Sequence, residues 1–440
     1  MDPMFNEQIT NKILSHLSLE EAICTNLLSR HWRGKWRSMS DIVVNEDSFP
    51  RIGEDEDEYI EKVTNKVNHL ILLHKGDIKR FEINSCIQAS PRLSSWLHYL
   101  IEANVEHLKL NFTTKQKYVI PFSVFRYRKL ETLDISRCKI EVPFPGSINF
   151  QALTHISFRN VKFPERFDDV NMLTRCCPLL THFSIVDCGC IIVDIHSRNL
   201  QSVNIVGDYI GLNFQYNSMI KSATIALTEN TACLYTNVFN RLLDVEELHL
   251  MGFSIELFLK FEQMPVPEFE YNRMKTLRID WTLDNFKAIE FAVYFFRNAP
   301  ALENLHINFW YKEGDIEADS VDNEEIEMAE EEAKYKGKGV ASEETIDLPL
   351  ELYLKKLLQE SGFFATFEHL DKMVLENVYG TDLEIIFIKH VLGNAPQLEE
   401  INITLESRVL DTGFEAEISD FAKELDSFPK ASPGVEIIIQ

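Results

Sequence analysis

No apolar run in this 440-residue chain approaches the roughly twenty residues that a membrane-spanning helix needs. The N terminus lacks the charged-then-apolar pattern of a secretory signal. These absences lead to the expectation of an intracellular chain, cytoplasmic or nuclear, with no membrane partner. Basic residues are scarce beside acidic ones, 44 against 69, and the formal net charge is −25. That balance counts against nucleic acid as a main partner. Enzyme signatures are missing as well: there is no G-x-S-x-G, no Gly-rich phosphate loop ahead of a helix and no H-E-x-x-H. Catalysis is not expected, and no spacing implies a cofactor or a metal.

The eight cysteines, at 24, 86, 138, 176, 177, 188, 190 and 233, form no C-x-x-C pair and no Cys/His cluster with ligand spacing. They are expected to be reduced and structural.

What the chain does have is a repeated pattern. Leu130-Glu131-Thr132-Leu133-Asp134-Ile135-Ser136-Arg137-Cys138 reads L-x-x-L-x-L-x-x-C, a short strand with one apolar face followed by a turn. With position four as marker, copies fall at Phe81, Leu108, Leu133, Ile156, Phe183, Val203, Ala223, Leu248, Leu277, Leu305, Met373 and Ile401. All but one of the gaps are 20 to 29 residues, the period of leucine-rich repeats. The exception, 68 residues between Leu305 and Met373, points to an insertion. Such strands cannot bury their apolar faces alone and must stack, the array starting near Ile78. Cys86, Cys138 and Cys188 take position nine, where a thiol acts as a small apolar group.

Ahead of the array, Asn6 to Arg37 reads as three short helices. Asn6 stands as a cap for the first, which carries an apolar stripe of Ile9, Ile13, Leu14 and Leu17. Ser18 and Glu21 form a capping box for the second, expected to turn Ala22, Ile23, Leu27 and Leu28 inward. Ser29 opens the third, with Trp32 and Trp36 on one face. Residues 1–40 hold five basic and four acidic side chains, too even a balance for a nucleic-acid site. Glu54 to Glu58 reads as an acidic connector, and 59–74 as a helix.

In a stacked array, positions three, five and seven of each strand face solvent. Position three supplies His107, His155 and His182; position five supplies Lys109, Asp134, His249, Arg278 and His306. A row of neighbours does not converge on one point, so these residues are read as a mixed polar recognition face, not as a zinc site. Acids such as Asp134, Glu247 and Asp280 interrupt it, leaving a polyanionic ligand without counter-charges.

Residues 312–345 hold 13 acidic residues and four lysines, a composition expected of an acidic, unstructured insertion. Phe291–Ile307 and Phe387–Ile403 flank it and echo each other at the Phe, the Asn-Ala-Pro, the Leu-Glu and the final Ile. Each reads as a helix ended by proline and then a strand.

Ile13-Leu14-Ser15-His16-Leu17, Glu21-Ala22-Ile23 and Leu28 to Trp36 together resemble an F-box. Val378-Tyr379-Gly380, Asn394 to Glu399 and Ser427-Phe428-Pro429-Lys430-Ala431-Ser432-Pro433 are similar to the FBD region of plant F-box/FBD/LRR-repeat proteins. Where that family opens its F-box with Leu-Pro-x-Glu, this chain has Phe5-Asn6-Glu7-Gln8.

The resemblance implies an α/β chain: an N-terminal three-helix F-box, a leucine-rich-repeat horseshoe solenoid of parallel strands, and an acidic insertion near the C-terminal end. The corresponding domains are 1–45, 59–310, the insertion at 311–347, and an FBD-like 348–440; apart from the resemblance, the apolar run at Glu436–Ile439 reads as a last strand that caps the solenoid. The implied function is substrate recognition in a Skp–cullin–F-box ubiquitin ligase. Ile9, Ile13, Leu14, Leu17, Leu28, Trp32 and Trp36 would meet the Skp adaptor, and through it cullin, while the repeat face holds an unidentified substrate protein. The alternative is a non-ligase scaffold whose F-box serves only to cap the solenoid.

Overall fold

In a computed structural model of the chain, all twelve position-four residues stand in parallel strands, and each is at most 2% exposed. The described residues are 3–45, 53, 55–85, 91–112, 118–140, 148–163, 169–189, 192–209, 211–216, 219–227, 238, 241–251, 270–283, 286–310, 350–359, 367–406 and 415–440. Two compact units share them. The first comprises Met1–Met219 with Asn230–Val238, the second Ile220–Glu229 with Phe239–Gln440.

The first unit starts with helices α1 (Pro3–Leu14) and α2 (Leu19–Cys24). Then follow β1 (Asp41–Asn45), α3 (Glu56–Leu73), β2 (Arg80–Ser85), α4 (Pro91–Glu102), β3 (His107–Phe112), β4 (Tyr118–Ile120), β5 (Thr132–Ser136), β6 (Cys138–Ile140) and β7 (His155–Arg159). The unit ends with α5 (Asp169–Arg175), β8 (His182–Val186), β9 (Ile192–Ile195), β10 (Ser202–Gly207) and β11 (Gly211–Phe214). Its main sheet runs β1-β2-β3-β5-β7-β8-β10, with β4–β6 and β9–β11 as separate two-stranded pairs.

Position-four residues sit opposite one another along this ladder: Phe81 faces Leu108, then Leu133, Ile156, Phe183 and Val203 follow in step. The register is pinned because a slip of one residue would turn every buried side chain to solvent. The turns after four strands use a left-handed residue at position eight: Arg137, Asn160 and Asp187, with φ of 51–56°, and Gly207 at 128°. The first three then donate their backbone N–H to Arg159, Val186 and Val206 of the neighbouring strand. Asn, Asp and Gly tolerate this region, whereas Arg137 is a less usual occupant.

Two expectations are corrected here. The ladder begins before Ile78, because Asp41–Asn45 pairs in parallel with β2, Ile42 opposite Phe81. Alternation in D-I-V-V-N, buried at Ile42 and Val44, carries that strand. The acidic stretch, in turn, is the start of a helix and not a connector. Asp55 caps α3 by accepting from the Glu58 N–H at 2.8 Å, and Glu56, Asp57 and Glu58 lie on the positive end of the helix dipole. That helix buries Val63, Val67, Leu70 and Ile71. Trp96 of α4 donates from Nε1 to Asn68 of α3 at 3.0 Å.

The second unit contains β12 (Ser222–Leu227), β13 (Glu247–Leu250), β14 (Thr276–Trp281), α6 (Phe286–Arg297), β15 (Asn304–Phe309), α7 (Leu350–Gln359), β16 (Lys372–Val378), α8 (Asp382–Asn394), β17 (Glu400–Leu405), α9 (Glu415–Ser427) and β18 (Glu436–Ile439). Its strands pair in parallel in that order. Across the gap of 68 residues the ladder is continuous, Leu305 lying directly opposite Met373. The acidic insertion at 311–347 lies outside the described residues. Each echo is the helix, turn and strand expected, α6 to β15 and α8 to β17, and β18 closes the ladder with Ile401 opposite Ile437. Trp281 centres an aromatic core with Phe296, Phe309 and Phe387, its ring centroid 5.0 Å from that of Phe387.

Among the described residues, no helix is long and apolar enough to cross a membrane. No disulfide joins any two of the five described cysteines, Cys24, Cys138, Cys176, Cys177 and Cys188. Cys138 and Cys188 are buried at position nine, and Cys86 lies outside the described residues.

Candidate interaction sites

The N-terminal block divides its apolar residues between a core and an exposed set. Leu14 and Ala22 are fully buried, and Leu19 and Trp36 are 5% and 6% exposed. Ser18 accepts from the Glu21 N–H while Glu21 accepts from the Ser18 N–H at 2.8 Å, so the capping box holds α2 in place. The Ser18 backbone N–H, and after it the Ser18 hydroxyl, keep the Glu21 carboxyl below its ordinary value.

Beyond Cys24 the chain tightens into a 3₁₀ turn, Thr25–Leu27. Three residues per turn instead of 3.6 rotate the following side chains off the helical stripe. Thr25 takes the inward place, its hydroxyl donating to the Ala22 carbonyl at 2.6 Å. Leu27 and Leu28, expected inside, therefore stand 87% and 69% exposed, with Ile9 and Ile13 each at 44%.

The third helix is also corrected: residues 28–34 are turns, followed by a 3₁₀ segment Lys35–Ser38. Gly34 adopts φ +79°, closed to a continuing helix, and its N–H donates to Asn26 Oδ1 at 2.6 Å. Trp36 thus packs into the core of the block while Trp32 is half-buried, so the two do not share an exposed face. Asn6 lies inside α1, which opens at Pro3, and is not its cap. Leu17 is half-buried and lines a cleft with Leu19, Met39, Val43 and Arg80.

On the strand face of the first unit, His107, Thr132, His155 and His182 fall in one row, residue against residue. His107 Nδ1 lies 3.0 Å from Thr132 Oγ1, and the rings of His155 and His182 are stacked. Partial burial, then the neighbouring His182 and His107, hold His155 below the usual histidine range. In the next row Lys109 pairs with Asp134 at 3.9 Å. That separation, on a half-exposed pair, contributes little to stability.

The strand face of the second unit brings His249, Arg278 and His306 into another row, opposite one another on β13, β14 and β15. Sequence reasoning missed their anchor. Glu376 reaches back from β16 to Arg278 Nη2 at 3.2 Å and His306 Nε2 at 2.8 Å. Burial, followed by the Arg278 charge, lowers the pKa of His249. Acidic and basic groups remain interleaved, as in the Lys372–Glu400 pair at 3.0 Å. No group of three or more His, Cys, Asp or Glu among the described residues is arranged to hold a metal ion.

The stretches that carried the FBD resemblance have structural work of their own. Gly380 takes φ +80° between β16 and α8. Fully buried Glu384 ties that turn by accepting from the Tyr379 and Thr381 N–H groups, the latter at 2.8 Å. The Ser427–Pro433 stretch docks on the C-terminal end of α8, where the Ala431 N–H satisfies the Leu392 carbonyl at 2.8 Å. Lys389 sits over the Phe428 ring, 5.1 Å from its centroid.

A family model described as FBD-associated F-box protein At5g56370, LRR repeats, matches residues 93–228, which contain strands β3 to β12. The F-box/FBD/LRR-repeat protein At1g13570 of Arabidopsis thaliana is 22% identical over 98% of this chain and 96% of its own length. These matches support one family, the plant F-box/FBD/LRR-repeat proteins. Two further Arabidopsis relatives are similar over parts of the chain. Putative FBD-associated F-box protein At5g53635 is 23% identical over 44% of this chain and 45% of its own length. F-box/LRR-repeat protein At2g42730 is 20% identical over 68% of this chain and 74% of its own length. Strands β3 to β12 of the ladder thus fall in the stretch that the LRR-repeat model matches.

Proposed function

We propose that this chain is a non-catalytic F-box subunit. In this reading the block at 1–45 is an F-box that docks a Skp adaptor, and through it cullin, while the strand faces of the repeats hold a substrate protein for ubiquitin transfer by other subunits. The observation that carries it is the exposure of Leu27, Leu28, Ile9 and Ile13 on a block whose own core is already filled by Leu14, Ala22 and Trp36. Four large apolar side chains left in water on one small block offer the material of a protein-docking surface. Trp32, half-buried beside His31 with ring centroids 6.1 Å apart, adds an aromatic anchor. The relatives' names, built on F-box and LRR-repeat, agree with an interaction protein better than with an enzyme.

The mechanism is proximity: a held substrate reacts at a raised effective concentration, with no chemistry contributed by this chain. The acidic insertion at 311–347 and the FBD-like region at 348–440 are assigned no partner. A second reading, a scaffold whose helical block only caps the ladder, is favoured by one feature, the direct entry of β1 into the sheet. Co-purification of the full chain with a plant Skp adaptor tests the choice. A stoichiometric complex supports the ligase subunit, and its absence leaves the cap.

A further inference from the structure

The threonine contacts of the stacked pair on the strand face of the first unit select one tautomer of each ring. His155 and His182 lie opposite each other on β7 and β8, their ring centroids 4.1 Å apart and their planes 8° from parallel. Each ring is held from behind by the preceding threonine, Thr154 Oγ1 at 2.8 Å from His155 Nδ1 and Thr181 Oγ1 at 2.9 Å from His182 Nδ1. A hydroxyl has one proton to give. Thr154 gives its proton to the Glu131 carbonyl at 3.1 Å, and Thr181 to the Thr154 carbonyl at 3.1 Å. Each threonine oxygen is then left to accept, so in the neutral form of each ring Nδ1 carries the hydrogen and Nε2 keeps its lone pair.

In that tautomer two Nε2 acceptors stand side by side on an exposed face. The charged and titratable groups around them are few. His107 and Lys109 come from β3, Asp134 from β5 and Arg159 from β7, while β10 presents only Ser202, Asn204 and Val206. Lys109 is engaged with Asp134, and Arg159 lies four residues along the strand from His155, about 13 Å away.

Neutral acceptors select an N–H donor. A carboxylate or phosphate would bring acceptors against acceptors. The near-parallel ring planes keep the two lone pairs from converging on a single metal ion. A guanidinium offers parallel N–H bonds from two nitrogens, suited to paired acceptors. A net charge of −25 draws cationic partners in preference to anionic ones. Given the partner-binding role proposed for the strand face, we infer that the Nε2 atoms of His155 and His182 together bind an arginine side chain on a basic segment of the partner protein.

The test uses the full chain with isotope-labelled histidine and two probes, nona-arginine and nona-glutamate peptides. At pH 7.5 the arginine peptide should shift the ring signals of His155 and His182. The double variant His155→Phe/His182→Phe keeps two flat rings and removes both acceptors, and should weaken binding at least fivefold at the same salt. His182→Asn is the second variant, and because both side chains are exposed, both proteins should melt as the wild type does.

Any polycation is drawn to so acidic a chain, so the difference between wild type and variant carries the result. Unmoved ring signals, or equal affinity of variant and wild type, overturn the arginine assignment. Glutamate-peptide binding through the pair sinks that assignment and keeps the strand face as a partner site. If neither peptide perturbs any strand-face histidine, both readings fall.

Discussion

Replacing Leu27 and Leu28 together by serine should destroy adaptor binding and leave the fold intact. At 87% and 69% exposure, these side chains contribute almost nothing to the interior of the block. Surface changes of this kind shift stability by roughly 0.5 kcal/mol or less. If an adaptor buries them, each leucine contributes about 1.5–3 kcal/mol, somewhat less for Leu28, which is already partly covered. The pair is then worth about 3–5 kcal/mol, a loss of roughly two to three and a half orders of magnitude in affinity. Trp36→Ala should do the reverse. It empties a site that is 6% exposed, costing roughly 3–5 kcal/mol of stability, and weakens binding only by unfolding the block. Calorimetric titration against a purified Skp adaptor, with a thermal melt of each variant, separates the two effects. A double leucine variant that binds as tightly as wild type would refute the docking surface, whatever its melting temperature.

Further expectations concern the ladder and its turns. Glu384→Ala removes the acceptor for the Tyr379 and Thr381 amides in a fully buried turn. Hydrogen bonds to a charged group contribute about 1.5–3 kcal/mol, so denaturant unfolding of the variant should show a loss of about that size. Trp281→Ala opens the aromatic core of the second unit and should cost roughly 3–5 kcal/mol, read as a lower melting temperature. Burial holds His390 down at about 4, so the unfolded chain binds its proton first as pH falls. Its stabilising contribution is therefore complete above about 6.5 and lost between there and about 4, and His390→Leu should flatten the melting profile across that window. Thiol titration of the folded protein under non-reducing conditions should find exposed Cys24 at once and buried Cys138, Cys177 and Cys188 only on unfolding; protected disulfides would contradict the free thiols.

The repeat ladder was legible in the sequence because it depends on a local rule applied many times. Alternation buries positions four and six, and a strand so patterned finds its register against any copy of itself; even weak Ala223 falls into step opposite Leu248. The capping box at Ser18 and the helix, turn and strand of the paired echoes follow from equally local chemistry. The polar face was legible as a row of residue types, but not as contacts. That His155 and His182 stack, or that Glu376 reaches Arg278 and His306, depends on which strands become neighbours and at what register.

Tertiary structure also decided what periodicity could not. An apolar stripe has the same spacing whether it faces a core or waits for a partner. Leu27 and Leu28 left the core because a 3₁₀ turn, closed by the Thr25 hydroxyl, rotated them outward. Trp32 and Trp36 parted because Gly34 at positive φ interrupts the helix that would have aligned them. Asp41–Asn45 became the first strand because its alternating residues met β2, and Asp55 to Glu58 became a helix start because the chain beyond them buries a stripe. The sequence alone determined which residues must be buried somewhere in the ladder. Only packing decided which apolar side chains were left over, since a core fills to a fixed volume and leaves the surplus in water.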